Sequence, residues 1–206
     1  VVRDFKATYP DKPVHIIGMS FGGALGYELS KMDEVDTAIL FDPFFAPVGK
    51  VHTLAKFVNA TSSISPYLEN LIAGSINAPF TSEEDKFNEW GRSGHFDFRF
   101  KHIMPLYLFG NYTLSQNIDW KNAEHKTLQL TKTLFEPNVS NAEKMVEAVT
   151  LPENNNACLY TFSEESQVMH APFHYKDTKD EKARALVRTM ITDVLENDKI
   201  YCDRIE

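Results

Sequence analysis

The stretch PVHIIGMSFGGALGYEL, residues 13–29, constrains this chain more than any other. It begins with Pro13 to Gly18, a short β-branched run closed by glycine, the pattern of a buried strand in a parallel sheet. Residues 22–32 then have helical character. Between them stands Ser20, in a G-x-S-x-G pattern with the small residues Gly18, Gly22, Gly23 and Ala24 where a strand must turn sharply into a helix. Such a turn lifts a serine hydroxyl to its tip and aims the helix N-terminus at an anion. The plainer alternative is a glycine-rich turn in which Ser20 caps the helix.

A second apolar run, TAILF at 37–41, ends in Asp42-Pro43, where proline stops the strand. The spacing predicts further strands at MPLYLF, 104–109, and ACLYTF, 157–162, with a helical stretch around 119–135. The final helix is predicted from the capping box Thr178-x-x-Glu181. Ala183, Leu186, Val187, Met190, Ile191, Val194 and Leu195 follow it on one face. Strands alternating with helices define an α/β fold with a mostly parallel sheet. The 206 residues suit one domain, 1–206, interrupted by a looser insertion over 44–103 with helix starts at Ser65-Pro66 and at Thr81 to Glu84. The chain opens on Val1 in sequence that is already helical, with Val1, Val2 and Phe5 on one side, as expected of a piece of a longer polypeptide.

A net charge of −8 with scattered acids argues against nucleic-acid binding, which rests on neutralising phosphates. No apolar run reaches the length of a membrane span, and VVRDFKATYP is too polar and acidic for a signal peptide. Two cysteines, Cys158 and Cys202, form no disulfide framework and no metal-ligand spacing, which favours a reducing cytoplasmic setting. Asn59, Asn111 and Asn138 begin N-x-S/T triplets, which carry meaning only in a secreted protein.

A serine is a weak nucleophile near neutral pH until a histidine takes its proton and a carboxylate holds that histidine. Asp42 follows the next strand, and neighbouring parallel strands end on the same edge as the elbow. Of the seven histidines, His15 lies inside a strand, as a packed or sheet-facing residue. His52, His95 and His102 belong to the insertion or its edges, and His125 to a helical stretch. His170 and His174 lie between the last strand and the last helix, the loop from which a general base should come. His170 is the first candidate, His174 the second and His95, in SGHFDF, the third.

The segment YPDKPVHIIGMSFGGALGYELSKM, followed by AILFDPFFAP, resembles the thioesterase domains of fatty-acid, polyketide and nonribosomal-peptide synthases, a branch of the α/β-hydrolase superfamily. The likeness covers about residues 9–47. It implies Ser20 as nucleophile, Asp42 as acid, the backbone N–H of Phe21 as an oxyanion donor, and a lid where 44–103 falls. It implies an acyl thioester on a carrier domain or coenzyme A as substrate, with no metal or redox cofactor. The family's Gly-His or Asp-His pair is replaced here by VMHAPFH. Strands expected upstream of the elbow, with a second oxyanion N–H, are absent from this stretch, so the piece alone is expected to be impaired. A lipase or carboxylesterase on the same scaffold, and a non-catalytic module binding an acyl group or a protein, are the alternatives. Ten aromatic residues from Phe44 to Phe100 either line an acyl channel or form the insertion's own core, and Arg92, Arg99 and Lys101 either receive a pantetheine phosphate or make a solvated edge.

Overall fold

The computed structural model describes residues 1–45, 126–134, 156–168 and 181–202, together with Thr53, Lys56, Phe57, Ala60, Pro105, Leu108 and Phe109. Helix α1 spans Val2–Thr8, strand β1 His15–Met19, helix α2 Phe21–Ser30 and strand β2 Thr37–Phe41. Strand β3 spans Thr127–Thr133, strand β4 Ala157–Phe162, and helix α3 Glu181–Glu196. The four strands form one parallel sheet in the order β1-β2-β3-β4.

β2 explains the layering. All five of its residues are buried, and alternate side chains on a strand point to opposite faces. Ala38 and Leu40 join Ala24 and Tyr27 of α2 and Leu128 and Leu130 of β3 in one core. Ile39 and Phe41 join Ala183, Val187, Met190 and Val194 of α3 in the other. The sheet is thus covered by α2 on one side and α3 on the other, and each fully buried Leu, Ile, Phe or Met contributes about 1.5–3 kcal/mol.

Several expectations are corrected. Pro105, Leu108 and Phe109, in the run expected as a strand, are helical. A short apolar run does not distinguish a buried strand from a helix, and proline suits a helix start. Conversely, 127–133 lies in the stretch expected to be helical and is β3, with a mostly buried pattern that includes Gln129, Thr131 and Thr133. Lys126, just before it, donates to the carbonyls of Ser30 and Met32, satisfying acceptors at the end of α2. α1 forms, but none of its residues is buried. His15 is exposed rather than packed. Phe44 and Phe45, counted with the insertion, belong to the core, with Phe45 edge-on to Tyr27 at 5.1 Å. The helix signals at Ser65 and Thr81, and Thr178 of the final capping box, lie outside the described residues.

The cysteines are also corrected. Cys158 in β4 and Cys202 beyond α3 are joined in a disulfide with their Cα atoms 5.0 Å apart. Gln129, wholly buried, reinforces the same junction: its Oε1 accepts from Tyr201 N–H at 2.7 Å and its Nε2 donates to Tyr201 C=O at 2.9 Å. The side-chain amide therefore pairs with Tyr201 as a neighbouring strand would. Among the described residues no helix is long and apolar enough to cross a membrane.

Candidate active site

Ser20 links β1 directly to α2, and its backbone sits at φ 52°, ψ −123°. A non-glycine residue there is strained, at a cost on the order of 1–3 kcal/mol that the surroundings must hold in place. They do so through both backbone groups. Ser20 N–H donates to Phe41 C=O at 3.0 Å, and Ser20 C=O accepts from Ala24 N–H at 3.1 Å and from Phe44 N–H at 2.9 Å. The hydroxyl does not cap α2, so the capping alternative is not what the geometry shows. Phe21 is the first residue of α2, where backbone N–H groups point out of the helix end.

The glycines are not equivalent. A Cβ on Gly18 would stand 2.5 Å from the Gly22 carbonyl oxygen, and one on Gly23 2.9 Å from Pro43 Cα, whereas one on Gly22 would meet nothing within 4 Å. Of these three, Gly18 and Gly23 are small because of crowding. We expect Gly18→Ala to destabilise the protein by at least the about 1–3 kcal/mol of an overpacked site and to displace Ser20. Gly22→Ala, on a helix face with room, should leave the urea midpoint unchanged or raise it, because alanine is the better helix former. Equal tolerance of both alanines in urea unfolding would contradict this account of the turn.

Asp42 follows β2 as Ser20 follows β1, and Met19 pairs in register with Phe41. Its φ of 42° is left-handed, which aspartate tolerates. The residue is 3% exposed, its N–H donates to Thr131 C=O at 2.9 Å, and its Oδ2 accepts from Thr133 N–H at 3.3 Å. The Thr133 hydroxyl in turn donates to the carbonyl of Val168, which follows β4 and the 3-10 turn Glu164–Ser166. The ends of β1, β2 and β3 and the exit from β4 are thereby connected along one edge. His170 comes two residues after Val168 in sequence; it, His174 and His95 lie outside the described residues, as do Arg92, Arg99 and Lys101. Among the described residues no group of three or more His, Cys, Asp or Glu could hold a metal ion.

The helix expected around 119–135 conceals two residues. Thr133, at the end of β3, stands beside Asp42. The other is Glu136, three residues past the carboxyl end of β3 and outside the described residues. A strand signal in TLQLTKT, with its alternation and its three threonines, would have exposed both.

A four-stranded parallel sheet flanked by helices, with a strained serine between strand and helix, is the arrangement of the α/β-hydrolase fold, and this chain carries a part of it. The chain is similar to a monoglyceride lipase from Saccharomyces cerevisiae solved with a substrate analog, at TM-score 0.58 and 13% identity over 95% of this chain and 65% of that one. It is similar to an α/β hydrolase from Penicillium sp. sh18, at TM-score 0.51 and 12% identity over 92% and 68%. A monoacylglycerol lipase from Paleococcus ferrophilus matches at TM-score 0.50 and 11% identity over 79% and 63%. The chain spans just under two thirds of the length of the two lipases. No protein-family model matches it, and neither does any curated protein sequence.

Proposed function

We propose that the chain is the larger part of a serine hydrolase that cleaves acyl thioesters or esters through an acyl-enzyme. The observation that carries this reading is Ser20: a strained backbone at a sheet edge holds a hydroxyl that is not used as a helix cap, on the edge that also bears Asp42. In the proposed reaction His170 removes the Ser20 proton as the oxygen attacks the acyl carbonyl. Phe21 N–H stabilises the oxyanion, and Asp42 orients the imidazole. Collapse expels the thiol or alcohol, protonated by the histidine. Water, deprotonated by the same histidine, then releases the carboxylic acid.

The second oxyanion donor is assigned to polypeptide upstream of β1. In support, β1 is an edge of the described sheet, and its Ile17 is 46% exposed. A carrier-bound or coenzyme A-bound acyl thioester is the first substrate class, and 44–103 is assigned as the lid. Glyceride esters are the second, favoured by the two lipases of similar fold. The disulfide shifts the proposed location from the cytoplasm to an oxidising compartment, where Asn59, Asn111 and Asn138 would be glycan acceptors.

A fluorophosphonate probe tests the reading. It should label the full-length protein on the tryptic peptide containing Ser20 and fail to label Ser20→Ala. Protection by acyl-pantetheine thioesters or by monoglycerides would rank the substrates. A wild-type protein that ignores the probe is instead the non-catalytic acyl- or protein-binding module.

A further inference from the structure

We infer that Thr133 is a positioning residue that couples the acid to the loop carrying the general base. This rests on the serine-hydrolase reading. Thr133 closes β3 with 2% of its surface exposed. It uses two different groups in two directions: the backbone N–H holds Asp42 Oδ2 at 3.3 Å, and the side-chain hydroxyl donates to Val168 C=O.

Val168 is itself anchored, 1% exposed, with its side chain in the core of Ile39, Phe41 and Phe162. Its carbonyl is thus fixed two residues before His170. The Asp42 side chain and the Val168 carbonyl are in this way both set against a single residue. A general base loses rate steeply when its orientation drifts, because a displacement of about 1 Å can cost on the order of a hundredfold. A hydroxyl buried at the start of the base loop meets that demand at a place where valine would satisfy packing alone.

Thr133→Val keeps the β-branched shape and the backbone N–H while deleting the hydroxyl. In the full-length protein, kcat for acyl hydrolysis should fall about 10- to 100-fold, with KM changed less than about threefold. Thr133→Ser, which restores a hydroxyl, should recover most of kcat. A valine variant with wild-type kcat, or one whose loss serine does not rescue, overturns the inference. Thr133→Ala gives the same test if valine is not accommodated, and unfolding of both variants would assign Thr133 to the core and also overturn it. Ser20→Ala, measured alongside, separates the two ideas. If it is inactive while Thr133→Val is normal, only the coupling is wrong; if it remains active, the serine-hydrolase reading fails first.

Discussion

Replacing Ser20 by alanine in the full-length protein should lower kcat for acyl hydrolysis about 10⁴- to 10⁶-fold, the loss seen when a triad nucleophile is removed while binding and oxyanion contacts remain. His170→Ala should fall as far, and the double variant hardly further, if the two act as one unit as proposed. His174→Ala and His95→Ala should stay within about threefold of wild type; if either is dead while His170→Ala turns over, the base has been misassigned. Asp42→Asn should cost about 10⁴-fold, since an amide leaves the histidine in the wrong tautomer. The position of Glu136 supplies the counter-case. Should Asp42→Asn keep most of its activity and Glu136→Gln lose it, the carboxylate comes from beyond β3, and Asp42 is a structural corner held by Thr131 and Thr133.

The second large effect concerns stability. Cys158 and Cys202 close a loop with a sequence separation of 44. In the chain-entropy treatment, removing that cross-link costs about 4 kcal/mol. For a protein of this size that is on the order of 10 °C in Tm. Reductant, or Cys158→Ser with Cys202→Ser, should therefore lower Tm by that amount. That shift acts through the unfolded chain, whereas Gln129 holds Tyr201 in the folded one. Gln129→Leu in the reduced protein should then remove that hold and release the segment after α3 to proteolysis. A thermal transition identical with and without reductant would mean that the disulfide contributes nothing to the fold.

What could be read in the residues follows from where the polar ones are spent. β2 and β4 were legible because TAILF and ACLYTF are continuous apolar runs with clear ends, and α3 because its buried face repeats at helical spacing. β3 was not, because Gln129, Thr131 and Thr133 are polar yet buried, and the side chains of Gln129 and Thr133 are committed to partners 29 to 72 residues away that no local pattern announces. MPLYLF failed for the opposite reason: its apolar content fits either element, and tertiary context decided. The positions of Ser20 after β1 and Asp42 after β2 followed from strand ends, which local sequence marks. The bonds through Thr133 depend on which strands lie side by side, and the cysteine pairing on the path of the chain after α3.

The contact of Gly23 with Pro43, together with the bond from Phe44 N–H to Ser20 C=O, welds the elbow and the Asp42 corner at the level of the main chain. Residues 15–45 consequently behave as a cassette. Changes made beyond Phe45 leave that link in place, and with it the spacing of the hydroxyl from the carboxylate. If the acyl-hydrolase proposal holds, a new acyl preference is to be sought by varying the chain downstream of that weld, with the cassette left untouched.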